Sequence, residues 1–461
     1  MIPLPDTDSI LASLRRSPLW DDAAEILQTL HDGGYQALLA GGCVRDALLG
    51  RPTKDIDIAT AAKPDQIETL FKDRTLPVGK AFGVILVKGA KQKTNVFEVA
   101  TFRADGDYRD GRHPDEIRFA DAEADAQRRD FTINGLFFDP HEKRLLDFVN
   151  GLADLKAGVV RAIGDPSRRF AEDKLRMLRA VRFAGTLGFA LDPATASAVR
   201  ENAPRLRCVS PERIGQEFSR MLTESRKPSA TLERLHDLKL LPLFLPEVEA
   251  LRGVRQPPRF HPEGDVWTHT CMMLDKLPAP RDLDLAYAVL LHDIGKPRTT
   301  FVTRNDDGSE KIQSPCHADV GAAMVPDILM RLKQPSARIE RVEAMVRRHM
   351  TFINLTQMRR STLRRFMGAP TFPLELELNR LDIECSCGDQ ALIDAVRNLW
   401  EEFANEPVLP APLVKGRDLI AEGLRPGKQM GKALKQIYDH QLEAPSLTRE
   451  QLLVWARENE L

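Results

Sequence analysis

The sequence predicts an α+β N-terminal head, with an antiparallel or mixed sheet and helices, followed by a mostly α-helical remainder. Short β-rich runs alternate with helical segments over the first third, and helical patterns dominate from about residue 166. The 461 residues exceed the ~250–300 at which one core stops growing. Pro-rich stretches at 255–265 and 404–414 are candidate joints. The predicted parts are a head, a helical neck, a third domain and a helical tail, at residues 1–165, 166–254, 255–403 and 404–461.

The composition is that of an ordinary soluble protein, with 43% hydrophobic and 29% charged residues. No apolar run approaches the ~20 residues of a membrane span, and the start, MIPLPDTDSI, does not look like a secretory signal. Six cysteines spread over the chain do not make a disulfide framework, which favours the reducing cytoplasm. Because the net charge is −1, any contact with a nucleic acid must come from local basic patches.

The head contains the stretch GGCVRDALLGRPTKDIDIAT at residues 41–60. QALLA before it is predicted to be a strand, CVRDALL a helix that begins just after the two glycines, and DIDIAT a strand with period-two alternation. PDQIETLF has proline at a helix start. FGVILVKG and TNVFEVATF are further β-rich runs, and RLLDFVNGLADLKAGVVRAIG is predicted to be a strand, a turn and another strand.

Two acids in DIDIAT indicate a metal site. On a strand, Asp55 and Asp57 point to one face while Ile56 and Ile58 enter the core. Adjacent carboxylates repel unless a divalent cation lies between them, and oxygen ligands on a rigid strand suit Mg²⁺. Glu98 is either a third acid near the metal, if its strand lies beside DIDI, or an exposed strand carboxylate.

The double glycine followed by a helix start predicts a phosphate site. Glycine permits close approach of a phosphate to the backbone, and the helix N-terminus offers free N–H groups and positive potential. Arg45, in the first turn of that helix, can hold phosphate oxygens with its forked guanidinium. The alternative is a tight turn in which Arg45 is merely exposed.

Five motifs in order resemble those of the superfamily of class II tRNA nucleotidyltransferases and bacterial poly(A) polymerases. They are GGCVRDALLG…DIDIAT, FEVATFR, DGRHP, RRDFTING and EDKLRMLRAVRFA, over roughly residues 36–190. The resemblance implies Mg²⁺-dependent transfer of a nucleotide to an RNA 3′-hydroxyl, with Asp55 and Asp57 as the catalytic metal ligands. It also implies nucleotide-binding roles for Gly42, Arg45, Arg129 and Asp130.

The motif EDKLRMLRAVR bears on nucleotide choice. On one helix, Asp173 and Arg176 lie one turn apart and can reach a single ligand edge. Their acceptor and donors match cytosine and adenine, whereas uracil and guanine present the opposite pattern, at ~1–3 kcal/mol for each mismatched group. The family uses this pair in that way, and Arg179 and Arg182 match family arginines near the nucleotide or its phosphates. The alternative is a helix with ordinary ion pairs.

The polar loop at 101–118 lies between the metal motif and RRDFTING. In the resembling family, a flexible loop at this place helps to switch the pocket from CTP to ATP. The loop looks full length here, so the resemblance implies that the terminal A is added as well as the two cytidines.

A second group of residues resembles the HD phosphohydrolase superfamily over roughly residues 262–390. The metal ligands that this resemblance implies are His269, His292, Asp293, His317, His349 and Asp382. Imidazole and carboxylate together suit a divalent transition metal or a mixed dinuclear centre. A phosphoester hydrolase is therefore expected, and a degenerate relic is the alternative. The tail at 404–461 resembles the C-terminal helical part of the first family, which implies contacts with the tRNA body.

Taken together, the resemblances imply addition of the 3′-terminal CCA to tRNA from CTP and ATP, with a fused HD hydrolase. Poly(A) polymerase and an enzyme that adds only the terminal A share the head and stay open as alternatives. An HD phosphohydrolase whose head merely binds RNA is the alternative from another class. No membrane partner is expected.

Overall fold

The computed structural model describes residues 5–53, 55–76, 79–105, 117–387, 390–404 and 408–461. It comprises two compact units, Met1–Pro246 and Glu247–Leu461. Among the described residues, no helix has the length and apolar character needed to cross a membrane. The four predicted parts are finer than this division into two and stay a prediction.

A seven-stranded mixed sheet organises the first unit. Its strands lie in the order β3-β4-β5-β2-β1-β8-β9, and only β2 and β5 run parallel to each other. The strands of this unit are β1 Ala37–Ala40, β2 Ile58–Thr60, β3 Thr75–Leu76, β4 Val84–Lys88, β5 Val96–Thr101, β6 Arg103–Asp105, β7 Ile117–Phe119, β8 Leu136–Asp139, β9 Arg144–Asp147, β10 Val159–Val160 and β11 Ala190–Leu191. Buried phenylalanines fill the layers beside the sheet, namely Phe97, Phe102, Phe131, Phe137 and Phe138.

Helices complete the first unit, and from residue 166 to residue 237 this unit is mostly helical. They are α1 Thr7–Arg15, α2 Trp20–Asp32, α3 Gly42–Leu48, α4 Pro64–Phe71, α5 Ala122–Gln127, α6 Gly151–Ala157, α7 Pro166–Glu172, α8 Arg176–Leu187, α9 Pro193–Asn202, α10 Pro211–Glu224 and α11 Pro228–Asp237. Helix α12, Pro246–Glu249, lies at the boundary in the sequence. Five of these helices carry proline at an N-terminal position, where its missing N–H costs nothing.

The second unit is almost entirely helical in its described part. Its helices are α13 Val266–Asp275, α14 Leu283–Leu291, α15 Lys296–Thr299, α16 His317–Arg331, α17 Ser336–Arg348, α18 Arg360–Met367, α19 Phe372–Cys385, α20 Gln390–Ala404, α21 Gly416–Ala421, α22 Lys428–Glu443 and α23 Arg449–Glu458. One hairpin joins β12 Phe301–Arg304 to β13 Glu310–Gln313. The predicted fold class, a mixed-sheet head followed by helices, is confirmed.

Three local predictions differ from the structure. Residues 55–57 precede the strand, because β2 begins only at Ile58. Helix α6 occupies the segment predicted as a turn after β9. The motif EDKLRMLRAVR is two helices, because α7 ends at Glu172 and α8 begins at Arg176. Asp173 has an extended backbone, and its carboxylate accepts the N–H of Leu175 at 3.0 Å, a local hydrogen bond that competes with helix continuation.

Candidate functional sites

The predicted metal acids lie where the chain enters β2. Asp55 and Asp57 are exposed, whereas Ile56 and Ile58 are buried, so the predicted alternation of faces holds although the strand starts later. The N–H of Ala40 donates to the backbone oxygen of Asp57 at 3.1 Å, which fixes the segment against the end of β1.

Glu98 meets the condition under which it was expected to join these acids. Strand β5 pairs in parallel with β2 and places Ile58 opposite Val99, so that Glu98 and Asp57 are the preceding residues of adjacent strands. Partial loss of solvation and the charge of Glu98 raise the pKa of Asp57 to about 6, with Asp55 adding to the rise and Arg129 opposing it. A cation would relieve this crowding of carboxylates, and the all-oxygen donor set fits Mg²⁺.

Gly41, rather than Gly42, has the backbone conformation that requires glycine. Its φ is +70°, and a Cβ there would lie 2.8 Å from Nη1 of Arg129. Gly42 begins α3 and would accept a Cβ at ordinary contact distance, with Nη2 of Arg45 at 3.8 Å. The turn therefore brings the backbone close to one of the predicted phosphate-binding arginines.

Arg45 is largely buried and already bound to neighbours. Its Nη1 donates to Oδ1 of Asn134 at 2.6 Å, and its Nε and Nη2 form a fork on Asp46 at 3.0 and 2.9 Å. The guanidinium also lies 5.1 Å from the ring centroid of Phe183. These contacts leave one Nη1–H and one Nη2–H for a ligand.

Arg129 and Asp130, predicted as one unit, bind different partners. Nε and Nη2 of Arg129 donate to Oδ2 of Asp125 at 3.1 and 3.0 Å. The Asp130 carboxylate receives Nε of Arg179 at 2.8 Å and Nδ2 of Asn134 at 3.0 Å. Burial alone would raise the pKa of Asp130, but the Arg179 charge and the Asn134 hydrogen bond outweigh it, and the pKa falls to about 2.

The residues predicted to select the base, Asp173 and Arg176, lie close in sequence but each has a protein partner. Arg213 holds the Asp173 carboxylate in a fork at 3.2 and 2.8 Å. Nη1 of Arg176 donates to Glu172 at 2.8 Å, and its Nη2 donates to the backbone oxygen of Arg128 at 3.0 Å. Arg213 was not predicted, and its only signal in the sequence is a basic residue in SPERIG, 40 positions away.

Arg182 is more deeply buried than the other two arginines of α8, Arg176 and Arg179. Its side chain is 3% exposed, and its Nε donates to Oε2 of Glu217 on α10 at 2.6 Å. Arg179, by contrast, is 33% exposed beside Asp130. In the predicted loop at 101–118, residues 106–116, which include the DGRHP motif, lie outside the described residues.

The second unit brings all six predicted HD ligands together around Asp293. Nε2 of His292, His317 and His349 lie 3.2, 3.3 and 3.9 Å from the Asp293 carboxylate oxygens. The ligand atoms of the predicted residues form two groups, each within 4.8 Å, composed of His269, His292 and Asp382 and of Asp293, His317 and His349. A third group at the same spacing joins His269 to His261 and Glu263. Lys296, which was not predicted, donates to Oδ2 of Asp293 at 2.6 Å and to Gln256 at 2.7 Å.

Hydrogen bonds present the imidazole Nε2 atoms to this centre. Nδ1 of His292, His317 and His349 contacts the backbone oxygens of Val289, Ser314 and Val346 at 2.8, 2.8 and 2.6 Å. The tautomer so favoured leaves a lone pair on Nε2, as a metal ligand requires. Nε2 of both His269 and His292 is buried without a well-aligned hydrogen bond among the described residues, although carboxylate oxygens of Asp382 and Asp293 lie 3.0 and 3.2 Å away. These nitrogen and carboxylate donors fit a divalent transition metal.

The ligand groups strongly perturb one another. Burial would lower the pKa of His269, but its contacts with Asp382 and Glu263 raise that pKa to about 9. Burial and the charge of His292 lower the pKa of His349 to about 4. Burial works against ionisation of Asp293, yet His292 and Lys296 hold its pKa well below the usual range.

Comparisons with known proteins agree with this division of sites. Residues 37–161 match the poly A polymerase head domain, 188–251 match the probable RNA and SrmB-binding site of polymerase A, and 265–398 match the HD domain. Two parts of the chain are therefore similar to the poly A polymerase head and to the HD domain, and both predicted resemblances are confirmed.

The similar curated proteins are CCA-adding enzymes. That of Lacticaseibacillus paracasei is 44% identical over 207 residues, which cover 45% of this chain and 51% of the relative. That of Geobacillus stearothermophilus is 42% identical over 206 residues, which cover 44% of this chain and 50% of the relative. The chain thus spans about half the length of the curated relatives it matches.

Solved structures extend the likeness to nearly the whole chain. The Bacillus stearothermophilus CCA-adding enzyme in complex with CTP has a TM-score of 0.72 and 25% identity, covering 96% of this chain and 98% of the other. The Thermotoga maritima CCA-adding enzyme complexed with tRNA has a TM-score of 0.61 and 18% identity, with complete coverage of both chains. The second likeness concerns the fold alone.

Proposed function

We propose that this chain is a CCA-adding tRNA nucleotidyltransferase, which builds the 3′-terminal CCA of tRNA from CTP and ATP. The observation that carries the proposal is the position of Asp57 at the entry to β2 with Glu98 on the adjacent strand β5, where Glu98, Asp55 and Arg129 all act on the Asp57 carboxyl. The head match and the CTP complex of a structural relative support the same reaction.

Each head residue has a part in this proposal. Asp55 and Asp57 would hold Mg²⁺, with Glu98 as a third acid, and the bound metal would supply charge stabilisation for in-line phosphoryl chemistry. Gly41 and Gly42 leave room for the triphosphate, to which Arg45 and Arg129 offer their remaining N–H groups. Asp130 and Arg179, which form an ion pair, are assigned to nucleotide binding.

Nucleotide choice is assigned to Asp173 and Arg176, with Arg213 as the residue that orients Asp173. After the contacts among the described residues are counted, Oδ2 of Asp173 keeps one lone pair, and Arg176 keeps its Nε–H and one Nη2–H. One acceptor beside two donors is enough to read the amino group and ring nitrogen of cytosine or adenine. Arg182, bound to Glu217, is assigned to packing of α8 on α10.

The C-terminal tail and the cysteines support two further assignments. The row Lys428, Lys432 and Lys435 is exposed on one face of α22 and supports contacts of the tail, 404–461, with the tRNA body. All six cysteines are free thiols, which supports a cytoplasmic location. The division at 165, 254 and 403 is retained as a proposal.

Extension of three tRNA transcripts, ending at the discriminator base, at C and at CC, tests the transferase proposal. With CTP alone the first should gain two residues and the second one, and with ATP alone only the CC transcript should gain a single A. Addition of A only, with no use of CTP, would identify an A-adding enzyme. Long A tails would identify a poly(A) polymerase, and no extension of any transcript would refute the proposal.

We propose a second activity, phosphoester hydrolysis at a transition-metal centre in the HD region. The supporting observation is the pair of neighbouring ligand groups, in which the Nε2 atoms of His269 and His292 face the carboxylates of Asp382 and Asp293 at 3.0 and 3.2 Å. A bound divalent metal there would supply a hydroxide nucleophile at neutral pH. Lys296 holds Asp293 in place and neutralises part of the buried acid. Hydrolysis of a nucleoside 2′,3′-cyclic phosphate with added Mn²⁺, Co²⁺ or Ni²⁺ should be lost in His292→Ala. Hydrolysis that survives this change would refute it.

A further inference from the structure

One metal-binding histidine of the HD region differs from the other three in its Nδ1 partner. The three that use a backbone carbonyl are His292, His317 and His349. Nδ1 of His269 instead contacts Oε1 of Glu263 at 2.6 Å. The two ligand groups are therefore unequal, because only the group with His269 has a carboxylate behind one of its imidazoles.

One carboxylate oxygen of Glu263 contacts two histidines, His269 and His261. The Glu263 side chain is 5% exposed, and its Oε1 contacts Nδ1 of His261 at 2.8 Å. Its Oε2 is buried and has no hydrogen-bond partner among the described residues. Removing a carboxylate from water is costly unless a partner compensates for the lost solvation. A neutral acceptor such as an amide oxygen would avoid this cost and would still accept a hydrogen bond from His269. A charge at this place suggests a role beyond packing.

We propose that Glu263 is a positioning residue that makes the metal position of His269, His292 and Asp382 the tighter of the two. A carboxylate that accepts from Nδ1–H fixes the ring and its tautomer and raises the electron density on Nε2. It also adds a negative charge near this position, whereas the carbonyl partners of His317 and His349 are neutral. This inference rests on the proposed HD metal centre.

Titration of the full-length protein with Co²⁺ in excess Mg²⁺, followed by visible absorption and calorimetry, tests the proposal. The wild type should bind two equivalents with separable affinities. Glu263→Gln keeps an acceptor of the same shape, and it should weaken the tighter equivalent about 10–100-fold and change its absorption spectrum, with the weaker equivalent nearly unchanged. Glu263→Asp, which restores the charge, should recover part of the affinity. The matched control, Asp319→Asn, removes an exposed carboxylate from the helix that carries His317 and should change neither equivalent.

The outcomes separate this inference from the metal centre itself. If His292→Ala binds as much Co²⁺ as the wild type does, the HD metal centre is refuted and the inference about Glu263 is refuted with it. Two equivalents that bind Glu263→Gln and the wild type equally would refute only the role of Glu263. A third equivalent that both Glu263→Gln and His261→Ala remove would also refute it, because Glu263 would then be a direct ligand. Thermal melting without metal checks that each variant is folded. If Glu263→Gln is not folded, the affinities of Glu263→Asp are compared with those of the wild type instead.

Discussion

The Asp57 carboxyl has a raised pKa because it is partly desolvated and lies near other acids at the proposed metal site. Its pKa of about 6 reflects lost solvation and the nearby charges of Glu98 and Asp55, which oppose ionisation. Ionised Asp57 therefore lowers the stability of the metal-free protein at neutral pH, and a bound cation would remove this penalty. Sites that must bind a metal commonly retain such repulsion at the expense of stability.

Asp57→Asn should raise the melting temperature of the metal-free protein at pH 7.5 by about 2–4 °C while abolishing nucleotide incorporation. The sign follows from the raised pKa, because the wild-type penalty exists above pH 6 and fades as Asp57 becomes protonated below it. Calorimetry at pH 7.5 and pH 5 measures both values, and the gain should shrink at pH 5. A variant that melts lower than the wild type at pH 7.5 would contradict this account of the site.

Asp130 behaves in the opposite sense, because Arg179 lowers its pKa from 3.8 to about 2. Its charge therefore contributes about 2 kcal/mol above pH 4, and this contribution is lost as pH falls towards 2. Asp130→Asn should lower the urea midpoint of the first unit at pH 7, and the difference from the wild type should fall to about half at pH 3. Asp319→Asn, at an exposed pair, is the control with little effect. A difference independent of pH would argue against the charged pair.

Side-chain pairs also mark how far sequence reasoning reaches. Asp55 with Asp57 and His292 with Asp293 are close in sequence, so their motifs and the family resemblances were enough to predict them as metal ligands. Asp173 with Arg213, and His269 with Glu263, depend on how loops and helices come together, and a single arginine or glutamate gives no local signal of that. The structure was needed to find the partners, although the ligands themselves were predicted.

The turn between β1 and α3 shows the same limit among helices and strands. The double glycine predicted a turn that approaches a ligand, but only the backbone angles distinguish Gly41 from Gly42. The break between α7 and α8 was missed for a related reason, since helix periodicity runs through EDKLRMLRAVR and the extended Asp173 interrupts it. Periodicity predicts which elements exist more reliably than where they end.

Gly41→Ala should reduce stability and the proposed nucleotide addition much more than Gly42→Ala. At φ +70° an alanine costs about 1–3 kcal/mol, and its Cβ would displace the Arg129 guanidinium. We expect a lower melting temperature and a raised KM for CTP and ATP. Gly42→Ala adds a Cβ at ordinary contact distance in a helix, so folding should be retained. Equal effects of the two changes on stability would contradict the assignment of the strained position to Gly41.

The whole chain carries two sets of reactive groups, each within one compact unit. The change of character near residue 166 and the two candidate sites could be predicted from the sequence, because each set of residues has its own motifs. The mixed order of the sheet could not, because β2 pairs with β5, and β3 and β4 lie between these two strands in the sequence. That pairing is what brings Glu98 to the metal acids.

His292→Ala should abolish transition-metal binding in the second unit and leave nucleotide addition within about twofold of the wild type, since changes at independent sites do not couple. Metal analysis after dialysis and a primer-extension assay measure the two effects. The reciprocal variant, Asp55→Ala, should lose extension and keep the metal of the HD region. Loss of nucleotide addition in His292→Ala would show that the two activities depend on each other.

Extension of a tRNA transcript that ends at its discriminator base, resolved by mass with CTP and ATP both present, tests the central claim most directly. The wild type should add three nucleotides, in the order C, C and A, and then stop. The double variant Asp55→Ala, Asp57→Ala should add none while its HD region still binds metal. Incorporation that survives in the double variant would contradict the assignment of nucleotidyl transfer to the two acids at the entry to β2.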